Sequence, residues 1–474
     1  MALDPRPLVV VVGAGVSGLA AAWRLARTPR PPRVLLLEQA PRTGGVLRRE
    51  TFTVEGHGVQ LDVGAEALLA RRPEAVDLLR ELGLGDDVEH PVTSRAAIWS
   101  RGVLHPMPAA TVMGVPGDPE ALRGLLTDDE VDVVAAQGHR PTTPVVDDVD
   151  VASWVSARVG SAVVDRVVEP LLGGVYAGHA SRLSLRATVP ALWPVARDGD
   201  GLLEAVRAQA QGHRIAAGAT EVPVFAGLRG GVARLAETLH QRLLEHGVAV
   251  RTDACVQQLE RTSDRWVLTL GPAGRGETID AGAIVLAVPA LRAARLLAEH
   301  SVGAATDLAG VTTSSMAVCT VVTDDGALDG LELSGVLVPP VEGRLVKAVT
   351  FSSRKWAWVA EAAGGRDVLR MSVGRAGEEE TLQRSDDDLL AAAVRDVEGM
   401  LDRRLPVRAS AVTRWGGALP QYEVGHVQRI ERVRAEVAAL PGLALTGATY
   451  DGVGVPACIA SAHAAAAEVL ADLA

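Results

Sequence analysis

Residues 8–27 constrain the fold of this 474-residue chain more than any other stretch. Leu8 to Val12 is a continuous apolar run rich in valine, Gly13 to Gly18 reads Gly-Ala-Gly-Val-Ser-Gly, and Leu19 to Arg27 is rich in alanine, which spells strand, turn and helix. Pro29 to Pro32 ends the helix, and Val34 to Leu37 is a second apolar run that closes on Glu38. The stretch predicts a βαβ unit of a parallel sheet. In that setting each glycine has a mechanical purpose. Gly13 permits the tight turn, Gly15 leaves room for a pyrophosphate to approach the backbone, and Gly18 lets the helix pack on the strand, with Ala14, Val16 and Ser17 supplying the intervening N–H groups. The helix amino terminus then favours the anion. Glu38, twenty positions beyond Gly18, can accept both ribose hydroxyls of an adenosine and would repel the 2′-phosphate of NADP.

A second feature selects FAD over NAD. Glu38 and Gln39 are followed by Arg42-Thr43-Gly44-Gly45, where paired glycines let the backbone close over an extended diphosphate and Arg42 brings a positive charge to it. This spacing resembles the signature of the FAD-dependent amine oxidase and porphyrinogen oxidase superfamily, and Asp62-Val63-Gly64-Ala65-Glu66-Ala67 resembles its next flavin-contacting turn. The far end of the chain repeats the grammar. Leu443 to Leu445 reads as a strand, Thr446-Gly447 as a turn, and Gly452-Val453-Gly454-Val455-Pro456 leads into an alanine-rich helix, Cys458 to Leu473. A helix start there, aimed at the flavin N1–C2=O edge, would stabilise the charge of reduced flavin.

Between these ends the pattern predicts an α/β fold with mixed α+β character: a Rossmann-like FAD-binding domain of the amine oxidase or glutathione reductase type, visited three times. The expected division is 1–91, 226–310 and 415–474 for the FAD-binding parts, 92–225 for a mostly helical insert, and 311–414 for a β-rich substrate domain. Turns are expected at His105 to Pro108 and Gly114 to Pro119, helices at Gly231 to His246 and Asp386 to Met400, and strands at Arg265 to Leu270, Ala283 to Val288, Met316 to Val322 and Leu345 to Phe351. No repeat of 20–50 residues is present.

Composition narrows the partners. A formal net charge of −11 argues against nucleic acid, which needs clustered positive charge. Cys255, Cys319 and Cys458 are widely spaced and suggest neither a disulfide framework nor a zinc site, which fits a reducing cytoplasm. Asp4 and three glycines set the run at Leu8 to Ala22 apart from a signal peptide, and no apolar stretch reaches the ~20 residues of a spanning helix.

Internal segments carry a closer resemblance. Leu104-His105-Pro106-Met107-Pro108, Val112 to Pro116, Glu169-Pro170-Leu171-Leu172-Gly173-Gly174-Val175-Tyr176-Ala177-Gly178, Arg414-Trp415 and Pro420 to His426 look like the protoporphyrinogen/coproporphyrinogen oxidase family, with the Gram-positive type most similar. The resemblance spans the whole chain. It implies oxygen-dependent, six-electron oxidation of a porphyrinogen in three flavin cycles, yielding three hydrogen peroxide molecules, with coproporphyrinogen III as substrate of the Gram-positive type and protoporphyrinogen IX as the alternative. By resemblance the flavin contacts carry over to Gly13 through Gly18, Glu38, Arg42, Gly45, the Gly64 turn, Val256, Trp415 and Val453 through Val455. Peripheral membrane contact, transient contact with other haem-pathway enzymes, and the choice between monomer and homodimer stay open.

Such chemistry asks little of acid–base groups, so positioning should dominate and no catalytic base is assigned. His105, His179 and His426 are read as structural. Four propionates do require cations, and arginine binds carboxylate bidentately. Arg71 and Arg72 are the first candidates, then Arg182 and Arg344; Tyr176 could stack on a tetrapyrrole or belong to the core. Two rivals share the fold. One is a flavoenzyme that oxidises an amine or, like the carotenoid desaturases, a carotenoid precursor; an amine oxidase needs an aromatic cage, which three phenylalanines and 3% aromatic content supply poorly. A non-catalytic carrier resembling the GDP-dissociation inhibitors would not need the intact glycine loop, Glu38 or Gly454.

Overall fold

The computed structural model describes residues 5–140, 142–217, 223–271 and 276–474. Its first layer is a five-stranded sheet in the order Ala249–Arg251, Arg33–Leu37, Leu8–Val12, Ala283–Leu286, Leu443–Leu445, every pair parallel. A parallel sheet is covered on both faces, so its strands must be apolar throughout. Alternate residues accordingly enter different cores. Val9, Val11 and Leu36 join the helices Val16–Ala26, Arg234–Glu245 and Val455–Asp472 on one side. Val10, Val12, Leu35 and Leu37 join Trp266, Leu297 and Val433 on the other. An antiparallel sheet of Val256–Arg261, Trp266–Leu270 and Glu277–Ala281 caps that second side.

The second layer is a seven-stranded sheet in the order Val407–Pro420, Thr313–Asp325, Arg366–Val373, Val346–Phe351, Gly335–Leu337, Ala96–Ser100, Val103–Pro106. Period-two alternation divides its faces. Cys319, Val349 and Met371 pack beneath the helix Asp386–Leu401, whereas Arg370, next to Met371, points the other way, toward the Gly64 turn. Helices from Asp128–Gln137 to Leu202–Ala217 form a third body around Trp154, Val167 and Leu203.

Two sequence expectations shift. Residues 96–106, expected in the helical insert, form a hairpin on the edge of the seven-stranded sheet. Its turn is Arg101-Gly102, with φ of 52° and 84°, the conformation of a two-residue hairpin loop. Trp415, expected at the start of the last FAD-binding part, lies inside the strand Val407–Pro420 opposite Met316, because the strand runs on to Pro420 without a break.

Candidate active site

Strand Leu8–Val12 ends in the glycine loop, and the loop's geometry separates its three glycines. Gly13 has φ 98°, and a Cβ there would lie 2.4 Å from the Ala287 carbonyl oxygen; a Cβ on Gly18 would lie 1.8 Å from that of Gly13. Both glycines are demanded by the protein's own packing. Gly15 is different, since nothing stands within 4 Å of its virtual Cβ. It is also the cap of the helix Val16–Ala26, and no side chain caps that helix although Val16, Ser17 and Gly18 are buried. A buried helix start with free N–H groups and open space in front suits an anion.

The flanking loops close around this point. Gly44 donates its N–H to the Ala14 carbonyl at 2.8 Å, bridging Gly15 and Gly44, while Gly44 and Gly45 adopt φ of 104° and 57°. Arg42 folds over the loop through the carbonyls of Thr43 (3.2 Å) and Gly45 (2.9 Å), and burial holds its pKa below the ordinary arginine value. Glu38 accepts the N–H of Ala14 at 2.7 Å through one carboxylate oxygen and that of Ala40 at 2.9 Å through the other. Each oxygen keeps lone-pair capacity for a ribose hydroxyl. The segment 251–256 runs alongside: Ala254 donates to the Glu38 carbonyl at 2.8 Å, and the Cys255 thiol stands 3.8 Å from the Gln39 amide oxygen. Val256 is 2% exposed, and its carbonyl is held by Arg292.

The closing helix starts at the carboxyl end of the same parallel sheet. Gly447 and Gly452 have φ of 131° and 130°, and Gly454 caps Val455–Asp472 again without a side-chain cap. No atom approaches the virtual Cβ of Gly447 within 4 Å, or that of Gly454 closer than 3.8 Å. The loop is braced from behind. The Tyr422 hydroxyl donates to the Ala448 carbonyl and accepts the Gly452 N–H at 2.8 Å. His426 stacks on Tyr422 at 4.0 Å and its Nε2 reaches the Thr449 carbonyl at 3.0 Å. Burial pulls His426 down to about 4, so its ring is neutral at physiological pH. The first turns of the two helices pack together: Val16, Leu19, Val455 and Ile459 share one core. Two uncapped, glycine-lined helix starts thus adjoin on one edge of one sheet.

The Gly64 turn meets them from the second layer. A Cβ on Gly64 would collide with the Val46 carbonyl at 1.9 Å and press the Trp415 ring at 3.1 Å, and the Trp415 indole donates to the Val63 carbonyl at 3.2 Å. Arg370 holds the Gly64 carbonyl and lies 3.2 Å from the Glu66 carboxylate, both side chains at or below 10% exposure. The Ser352 hydroxyl bonds the same carboxylate. Burial works against ionising Glu66, yet Arg370 and Lys355 hold it below the ordinary range. The Glu66 side chain is therefore spent on the protein itself. Ala65 donates its N–H to Val46, and Ala67 packs with Phe52 and Trp358. Asp62 accepts the N–H groups of Val232 (2.6 Å) and Ala233 (3.1 Å) ahead of the helix Arg234–Glu245.

The residues fit a dinucleotide: open space at Gly15, two buried helix starts lacking caps, and an acid poised at the second strand. Comparison with known proteins decides which. The family of flavin-containing amine oxidoreductases matches residues 16–470. A coproporphyrinogen III oxidase of Mycobacterium tuberculosis is 39% identical over 477 residues, 99% of each chain. The chain belongs to the flavin-containing amine oxidoreductases, in their porphyrinogen oxidase branch. Its cofactor is FAD, and it is an oxidoreductase. Another relative in this branch, the coproporphyrinogen III oxidase of Bacillus subtilis, is 30% identical over 99% of each chain. A solved structure from Exiguobacterium sp. 255-15, assigned as a protoporphyrinogen oxidase, superposes with TM-score 0.84 at 30% identity over 100% of both chains.

Within this flavoprotein the remaining candidates scatter. Arg72 precedes the helix Pro73–Glu81, pairs with Glu74 at 2.7 Å, and exerts its charge on Cys458 in the first turn of the closing helix; Arg71 beside it is exposed. Arg182 pairs with Glu423 at 2.5 Å. Arg344 pairs with Asp396 of the helix Asp386–Leu401, on the sheet face opposite Arg370, so it is not brought to the site. The Tyr176 ring is 7% exposed and lies against Tyr422 at 5.7 Å, which fits its core reading. His105 bonds the Ser100 carbonyl at 3.0 Å, and His179 lies 4.0 Å from Glu169. Arg370, Ser352 and Lys355 were missed by sequence reasoning. Arg370 alone left a signal, a charge within the apolar alternation Val368 to Val373.

Proposed function

We propose that this enzyme oxidises coproporphyrinogen III to coproporphyrin III with molecular oxygen. Six electrons and six protons leave the substrate in three cycles, and three oxygen molecules become three hydrogen peroxide molecules. The observation that carries the reading is whole-length similarity to named coproporphyrinogen III oxidases, at 39% identity. When bound, FAD supplies a two-electron acceptor whose N5 takes hydride from a bridging carbon of the macrocycle.

The chain's own residues bind and position. Glu38 and the glycine loop hold the adenosine and diphosphate, with Arg42 and the backbone beside Val256 at its margin. Val453 to Val455, braced by Tyr422 and His426, would hold the flavin ring together with Trp415 and the Gly64 turn. No protein base is needed, and the histidine nearest the ring loop, His426, is neutral and committed to a carbonyl. Arg72, whose charge reaches Cys458 in the first turn of the closing helix, and the exposed Arg71 beside it are the cations we assign to the propionates. Among the described residues no helix is long and apolar enough to cross a membrane, and we place the enzyme in the cytoplasm.

Protoporphyrinogen is the second reading, supported by the assignment of the Exiguobacterium structure at 30% identity. The test is chromatographic identification of the porphyrin formed from each porphyrinogen, with oxygen and peroxide followed in parallel. Coproporphyrin III at three peroxides per molecule is expected. Turnover of protoporphyrinogen alone would move the assignment to the second reading, and turnover of amines alone would overturn both.

A further inference from the structure

On the sheet face away from Arg370 and Trp415, a pocket of about 720 Å³ opens between the helix Asp386–Leu401 and the loops at 340–345 and 375–384. Four arginines line it, Arg344, Arg375, Arg384 and Arg395, against two carboxylates, Glu378 and Asp396. Asp396 is already committed, 2.7 Å from Arg344 and 2.9 Å from the Val346 N–H. Glu378 stands 3.6 Å from Arg375, whose side chain is only 4% exposed and whose Nε has no partner. Arg384 and Arg395 are exposed, and their side chains form no hydrogen bond or ion pair among the described residues. Next to Arg375, Lys347 is 3% exposed and donates to the Gly374 carbonyl at 2.6 Å, with no carboxylate in contact.

This excess of positive charge is unusual for a chain of net charge −11. Many surface arginines elsewhere are matched at close range, as Arg432 is by Asp307 and Arg434 by Asp451, each at 2.7 Å, whereas here two that line one pocket are not. Burial pushes Arg375 below its ordinary value and, with Arg375 adding to it, pushes Lys347 down to about 7. An anion placed among these groups would relieve both.

We propose that this pocket binds a small organic anion carrying two or more carboxylate or phosphate groups, apart from the flavin. Its volume lies within the roughly 300–1,000 Å³ of small-molecule sites. Arg384 and Arg395 offer unpaired guanidinium forks that take carboxylate or phosphate bidentately, and Arg375 gives the pocket a buried cationic wall. The opposite face of the sheet carries the flavin side, so the ligand is not the molecule being oxidised.

Calorimetric titration of the FAD-loaded protein with citrate and with pyrophosphate, at fixed ionic strength, tests the proposal. Saturable one-to-one binding of at least one probe is expected; citrate alone marks a carboxylate ligand and pyrophosphate alone a phosphate ligand. The double variant R384A/R395A should weaken that binding about tenfold or more, because each arginine contributes a charged fork. Its flavin content and melting temperature should match the parent, since both side chains are exposed. Failure of both probes to saturate, or undiminished binding by the double variant, would overturn the proposal.

Discussion

At the scale of single residues the carboxylates distinguish binding from folding. Glu38 holds two backbone N–H groups and is the residue proposed to bind the ribose, so Glu38→Gln would turn an amide NH₂ toward one of those donors. A charged hydrogen bond of ~1.5–3 kcal/mol would be lost. Flavin titration should show FAD affinity falling roughly 10- to 100-fold, and unchanged affinity would remove Glu38 from the site. Asp62 acts on folding instead. Burial raises its carboxyl from 3.8 to about 7, against the pull of the Ala233 and Val232 N–H groups and Arg370. A raised acid keeps its proton in the folded state while the unfolded chain releases it, so its contribution falls as pH rises from about 4 to about 7. His426, lowered from 6.5 to about 4, has the opposite sign: the unfolded chain binds the extra proton, so stability rises with pH across that window. The difference between parent and Asp62→Asn isolates the first term. Urea unfolding at several pH values should show the parent losing ground to the variant from pH 4 to 7, by up to a few kcal/mol; a pH-independent difference would mean that Asp62 is ionised throughout.

At the scale of elements, the loop 447–454 depends on a strand end and a helix that never enter its own sequence. Tyr422→Phe removes one donor and one acceptor from Ala448 and Gly452. Two neutral hydrogen bonds are together worth about 1–3 kcal/mol, so FAD affinity should fall about fivefold or more by fluorescence titration, while far-ultraviolet circular dichroism stays unchanged. Equal affinity would make the brace irrelevant to the cofactor. Local elements were legible where periodicity and glycine grammar agree: the strand Leu8–Val12, the helix Asp386–Leu401 and the closing helix all follow from their own residues. The hairpin at 96–106 was not, because Arg101 occupies a positive-φ position usually given to Asn, Asp or Gly. Nor was the Glu66–Arg370–Ser352 cluster, in which Glu66 is 286 positions from Ser352 and lies still further along the sequence from Arg370.

At the scale of the molecule, three separate passages of the chain build one parallel sheet, and its carboxyl edge is where the glycine-bearing loops gather. That gathering could be anticipated from two similar strand–glycine–helix signatures. The sequence could not place the cations. Arg344 ranked behind Arg71 and Arg72, and only its pairing with Asp396 of the helix Asp386–Leu401 shows that it lies on the sheet face away from Arg370. The whole account depends on one FAD spanning both helix starts, and alanine at Gly15 and at Gly454 examines it most directly. Both positions have ordinary negative φ, and neither virtual Cβ meets an atom closer than 3.8 Å, so the cofactor-free fold accommodates each methyl group. FAD titration and apoprotein melting of the two single variants should show affinity reduced about tenfold or more in both, with melting temperatures near the parent's. Full flavin affinity in either variant, with the fold intact, would show that its helix start does not face the cofactor.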